Sequence, residues 1–138
     1  MRIVMDTDVL VAAFRSPTGA SREIVRLLYE GIIEGAASVS LMLEYEEVLL
    51  RPEQREATGL DVDDVHTILD QLAAVLHPVM THFLWRSLLQ DPDDECVLEA
   101  AVNGRADVLV TFNVSDCFPA AQYFRLEILR PAELLRRL

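Results

Sequence analysis

Short apolar runs suited to buried strands alternate with helical stretches along this chain, and that alternation constrains the fold more than any other feature. Arg2–Asp6 is an Ile- and Val-bearing run that ends in an acid, as expected of a strand covered on both faces. Ser21–Glu30 reads as a helix, with Ile24, Leu27 and Leu28 at helical spacing and Gly31 beyond its end. Ala36–Ser38 is a second strand candidate. A helix follows from Val39 to Leu50, stopped by Arg51-Pro52. Asp61–Leu76 is the clearest helix: Val62, Val65, Ile68, Leu69, Leu72, Ala73 and Leu76 form one apolar stripe behind Asp61, a residue type suited to the N-cap. Val75–Met80 extends into a third strand around His77-Pro78. The acidic stretch Asp91–Glu95 opens a helix running to Asn103, with Gly104 as its stop. Asp107–Thr111 and Leu126–Leu129 read as further strands, and Pro131 begins a final helix. Strands joined through helices run parallel, so the expected fold class is α/β, a three-layer domain whose central parallel β-sheet is flanked by helices on both faces.

No repeat, linker or composition break interrupts the 138 residues, which predicts a single domain over 1–138. Hydrophobic residues make up 51% of the chain, enough for a core without staples. The longest apolar runs, such as Val9–Phe14, are far too short for a membrane span. Met1–Met5 runs straight into Asp6, leaving no room for a signal-peptide apolar region, so a cytoplasmic location is expected. Cys96 and Cys117 lack metal-ligand spacing and read as two reduced thiols.

The charge balance narrows the function. There are 23 acidic residues against 12 basic ones, a net charge of −11, and every basic residue is arginine. Such a chain is unsuited to broad electrostatic binding of DNA, which rests on many basic contacts that release counterions. A nucleic-acid enzyme remains compatible with it, because clustered carboxylates hold divalent cations that reverse the local field.

In parallel α/β folds the ligand site lies beyond the carboxyl ends of the strands. Asp6 and Asp8 follow the first strand, Asp93 and Asp94 open a helix, and Asp116 follows the Asp107–Thr111 strand. Glu44 is placed by periodicity. The inward stripe of its helix is Leu41, Tyr45, Val48 and Leu49; Glu44 lies on its flank, with Glu46 and Glu47 turned further out. Asp94 heads a stripe of Val97, Leu98 and Ala101. Each acid has a plain alternative: Asp93 or Asp94 as a helix cap, Glu44 as a semi-exposed helix residue, Asp6 as a turn former, Asp116 in an Asx-turn. Acids converging from separate segments on one strand-end pocket point instead to Mg²⁺ or Mn²⁺.

Ile3-Val4-Met5-Asp6-Thr7-Asp8-Val9-Leu10-Val11 resembles the opening of PIN-domain proteins, an apolar strand followed by Asp-Thr-Asn-Val-Leu. Ser38 through Glu44-Tyr45-Glu46-Glu47-Val48-Leu49 to Arg51-Pro52 resembles their second motif, and Asp91-Pro92-Asp93-Asp94-Glu95 leading to Ala101 their third. Ala106-Asp107-Val108-Leu109-Val110-Thr111-Phe112-Asn113 with Asp116 resembles the fourth, and Ile128 to Pro131-Ala132-Glu133 the usual ending. Single motifs are weak, but the ordered set spans the chain and is most similar to the toxin-like group related to VapC ribonuclease toxins. The resemblance implies a Mg²⁺- or Mn²⁺-dependent endoribonuclease with Asp6, Glu44, Asp94 and Asp116 as its acidic site and Asn113 beside them. It implies RNA as substrate, a cognate antitoxin as partner and a second copy of the chain as a further candidate partner. Two positions depart from the pattern. Asp8 stands where the family usually has Asn, and Asn113 where many members have Asp, which leaves Asn113 or Asp116 to complete the site.

Around these acids, Thr7 and Thr111 at strand ends are candidate hydrogen-bond partners, and equally ordinary β-branched strand residues. Arg15, Arg22 and Arg26 are candidates for RNA phosphates, although Arg26 has Glu30 one turn away as an ion-pair partner. His66, His77 and His82 read as structural or surface residues. Two other function classes are open. Asp6-Thr7-Asp8-Val9-Leu10 also resembles the first motif of haloacid-dehalogenase-type phosphatases, with Asp6 as nucleophile and Asp8 as acid/base. That chemistry ordinarily needs a lysine on the phosphate, and this chain has none. The third class is a catalytically weak module that binds RNA, or an antitoxin whose arginine enters the acidic pocket.

Overall fold

The computed structural model describes residues 1–80, 100–114 and 126–138. Its five-stranded sheet is built from β1 (Arg2–Met5), β2 (Glu34–Ser38), β3 (Leu76–Val79), β4 (Val108–Val110) and β5 (Glu127–Leu129), in the spatial order β3-β2-β1-β4-β5. Every pairing is parallel, as in Ile3 opposite both Gly35 and Val108. The expected α/β class with a central parallel sheet is therefore the observed one. Strand β1 lies in the middle, which explains its unbroken apolar sequence: Ile3 and Val4 are wholly buried and Met5 nearly so.

Neighbouring positions of β2 show that both faces are covered. A side chain at Gly35 would meet Leu28, whereas Ala36, on the opposite face by strand alternation, adjoins Gly104 at the end of helical residues 100–103. The remaining described helices are α1 (Thr7–Arg15), α2 (Ala20–Tyr29), α3 (Val39–Leu49), α4 (Pro52–Thr58), α5 (Val62–Val75) and α6 (Pro131–Arg137).

Several local expectations need revision. Val9–Phe14 lies within α1, which buries Val9, Leu10, Val11 and Ala13; an apolar run this continuous does not display helical periodicity. Pro52 ends α3 as expected but is also the first residue of α4, where its missing N–H costs nothing. Asp61 caps α5 through a reciprocal box with Asp64, yet Val62 and Ala73 lie outside the stripe: the buried residues are Val65, Ile68, Leu69 and Leu72. Leu76 already belongs to β3. At residues 100–104 the helix stop is shared. Gly104 still donates to the Ala100 carbonyl, and Arg105 takes the left-handed conformation, with φ of 52°. Gly104 is required by space, since a Cβ there would stand 2.8 Å from the Ala100 oxygen.

The chain adds β2 and β3 on one side of β1, then crosses to β4 and β5 on the other. The strand order thus reverses between β1 and β4, and in open parallel sheets the crevice at such a reversal, beyond the strand carboxyl ends, is where ligands bind. Asp6 and Thr111 are the residues that follow these two strands.

Candidate active site

Asp6 carries the turn from β1 into α1. Its N–H donates to the Val110 carbonyl at 2.9 Å, and its carbonyl accepts from Val9 and Leu10. The residue occupies the N-cap of α1, but its side chain makes no capping bond. Instead Oδ2 accepts a 2.7 Å hydrogen bond from the Thr111 hydroxyl, across the β1/β4 reversal. Thr111 is wholly buried, and its Oγ1 also accepts from the Asn113 N–H at 3.0 Å. Asp6 itself is only 7% exposed. A carboxylate so buried is costly unless it is hydrogen-bonded and balanced by positive charge, and here the α1 N-terminus contributes part of that balance.

The second acid arrives on α3. Ser38, last residue of β2, caps this helix by accepting from the Leu41 N–H at 3.1 Å, so α3 starts at the carboxyl edge of the sheet. Leu41, Tyr45 and Leu49 are buried, with Val48 half-buried beside them. Glu44, on the flank of this stripe, accepts a 2.7 Å hydrogen bond from the Thr7 hydroxyl at Oε2. The buried Tyr45 hydroxyl donates to the Met5 carbonyl at 2.6 Å. Successive residues of α3 are thereby fastened on either side of Asp6, to positions 5 and 7. Thr7 and Thr111 are hydrogen-bond partners of two candidate acids, and not merely β-branched residues.

The clamp through Tyr45 has a measurable consequence. Tyr45→Phe keeps the ring but removes a donor from a buried carbonyl, which should cost about 1–2 kcal/mol. Urea unfolding should show a lower midpoint at unchanged slope, and an unchanged midpoint would mean that packing alone seats α3. By periodicity alone Tyr45 is an apolar stripe residue. A phenol at a core position, next to an acid, was the available signal.

The other candidates fall as follows. Asp8 is exposed in the first turn of α1, and Asn113 is exposed just beyond β4. Asp93, Asp94 and Asp116 lie outside the described residues, as do Cys96, Cys117 and His82. Glu47 is exposed as expected. Glu46 is half-buried like Glu44, but it lines a different feature, an apolar groove between α3, α5 and β3 that includes Met42, Leu43 and Leu76. His66 and His77 are exposed, His77 with its Nε2 3.9 Å from Glu34. Arg26 is held between Glu23, at 2.9 Å, and Glu30, at 2.7 Å; these bonds raise the Arg26 pKa, and the bond from Arg26 lowers that of Glu23.

Among the described residues, no three of His, Cys, Asp and Glu gather into a metal-holding group. What Asp6 and Glu44 offer is a pair of hard oxygen donors, each set in orientation by a threonine, and that chemistry fits Mg²⁺ or Mn²⁺ rather than a soft metal. Among the described residues no helix is long and apolar enough to cross a membrane.

Comparison with known proteins adds three findings. A family model described as the PIN domain matches residues 2–115. The uncharacterized protein MJ1680 of Methanocaldococcus jannaschii is 24% identical over 111 residues, covering 79% of this chain and 69% of that protein. A chain in the crystal structure of VapBC2 from Rickettsia felis bound to a DNA fragment from their promoter superposes with a TM-score of 0.62 at 17% identity, covering 94% of this chain and 98% of that one.

Proposed function

From the premise that this chain belongs to the PIN domain family, whose members are generally nucleases, we propose that it is a divalent-metal-dependent endoribonuclease that cleaves RNA phosphodiester bonds. The observation that carries the reading is the buried Asp6 carboxylate at the β1/β4 strand-order reversal, held by Thr111 rather than spent on capping α1. Glu44 joins it on the same edge through Thr7. In this reading Asp94 and Asp116 complete the acidic site, with Asn113 beside them, and the set holds Mg²⁺ or Mn²⁺. Bound there, Mg²⁺ or Mn²⁺ would supply Lewis acidity toward water and positive charge toward a phosphodiester. The protein's own part is positional. Thr111 and Thr7 hold each carboxylate in one rotamer, and Tyr45 ties α3 to the end of β1, so the donors need no reorganisation when substrate arrives.

The fold shared with a VapBC2 chain favours a role as the toxin of a toxin–antitoxin pair with a cognate antitoxin as partner; a second copy of this chain as a further partner and a cytoplasmic location belong to the same proposal. Family membership favours this reading over a dehalogenase-type phosphatase, as does Asp8, which is exposed on α1 instead of sharing the buried position of Asp6. The deciding experiment is RNA cleavage by the purified protein with Mg²⁺ or Mn²⁺ and with chelator. Cleavage should need the ion and return when it is restored, and chelator-resistant cleavage would overturn the mechanism.

A further inference from the structure

Resting on the nuclease reading, we propose that Arg15 and Arg22 form the contact that seats the phosphodiester backbone of the RNA substrate beside the acidic site. In a chain of net charge −11 without lysine, most described arginines are already engaged. Arg2 faces Glu34, Arg26 lies between Glu23 and Glu30, Arg51 meets Glu47, and Arg130 and Arg137 meet Glu133 and Glu127. Arg55 donates to the Leu50 carbonyl. Among the described residues this leaves Arg15, Arg22, Arg105 and Arg136 without an acidic partner.

Topology separates these four. Arg105 precedes β4 and so belongs to the amino edge of the sheet, away from Asp6. Arg136 lies in the last turn of α6, a helix that leaves the carboxyl edge after β5. Helix α2 leads into the amino end of β2, and its ten residues, about 15 Å long, match the length of the strands. Its first turn, which carries Arg22, therefore stands toward the carboxyl edge. Arg15 ends α1, the helix that starts at Asp6, and the short connection Ser16–Gly19 keeps it near the start of α2. Both guanidinium groups belong to exposed residues, and that of Arg22 lies over the half-buried Phe14 ring, 5.2 Å from its centroid. Stacking holds the planar group in place while its N–H edge remains able to meet a phosphate. Two cations without an acidic partner among the described residues, on the edge that carries Asp6 and Glu44, suit a substrate strand that would otherwise be repelled on approach.

Arg22→Gln, Arg15→Gln, the double variant and Arg22→Lys test the contact, with Arg26→Gln as the comparison, because Arg26 is already neutralised by two glutamates. Binding of a labelled single-stranded RNA is followed by fluorescence anisotropy in chelator over a salt series, and cleavage kinetics are measured with Mg²⁺. The double variant should weaken binding about tenfold and flatten the slope of log Kd against log salt by roughly 1.4, two single-strand phosphate contacts. It should raise KM and leave kcat within about twofold. Arg22→Lys should retain most of the affinity, and Arg26→Gln should change little. Equal losses for Arg26→Gln and Arg22→Gln would overturn the proposal, since net charge alone would then be acting. So would normal RNA binding by the double variant, including the case in which it loses only binding to a protein partner. If wild type cleaves RNA and the double variant matches it, this proposal falls and the nuclease reading stands. If wild type neither binds nor cleaves RNA, both fall.

Discussion

Asp6→Asn should lower RNA cleavage on the order of a thousandfold or more while leaving the fold intact. The expected size follows from losing one charged ligand to an ion that supplies several kcal/mol to the transition state. Intact folding is expected because asparagine keeps a side-chain oxygen that can accept from the Thr111 hydroxyl, now donating to Asp6 Oδ2. Thermal melting separates the site reading from a turn reading. A buried carboxylate with no ion to balance it is costly, so Asp6→Asn should be at least as stable as wild type in chelator. Mn²⁺ at a hundredfold over its dissociation constant should stabilise wild type by about 2.7 kcal/mol, and the variant should lose most of that gain. A variant several kcal/mol weaker in chelator, with the Mn²⁺ gain intact, would make Asp6 a turn residue and remove it from the site.

Glu44→Gln should abolish cleavage at nearly unchanged stability, whereas Glu46→Gln and Glu47→Gln should each stay within a few-fold of wild type. Glutamine retains an oxygen that can accept from Thr7, so α3 keeps its attachment while the negative charge is lost. Glu46 offers the sharper comparison, because it is also half-buried but lines the apolar groove toward α5. Equal losses at all three positions, measured as kcat/KM on one RNA, would show that this acidic stretch acts through net charge and not through one placed carboxylate.

How far the sequence alone reached depends on the kind of interaction involved. The strand–helix alternation carried the α/β class, because buried parallel strands must be apolar throughout and must be joined by helices. Local capping chemistry carried the start of α5 at Asp61, and local periodicity put Glu44 beside a buried stripe. Helix α1 was invisible to periodicity, since its central run Val9–Phe14 is continuously apolar and offers no polar positions to mark a phase.

The order β3-β2-β1-β4-β5 was not readable along the chain, because nothing local in a strand names its neighbours. That order brings residues 6 and 111 together and sets a threonine hydroxyl 2.7 Å from the Asp6 carboxylate. It also puts Tyr45 and Thr7 to work as fasteners between α3 and the end of β1. The sequence determined which residues could be strand, helix, cap or acid, because those preferences are local. Only the tertiary structure decided that Asp6 is buried and what orients it and Glu44, because Thr111 lies about a hundred positions from Asp6, Thr7 lies far from Glu44, and they meet only when the sheet is assembled.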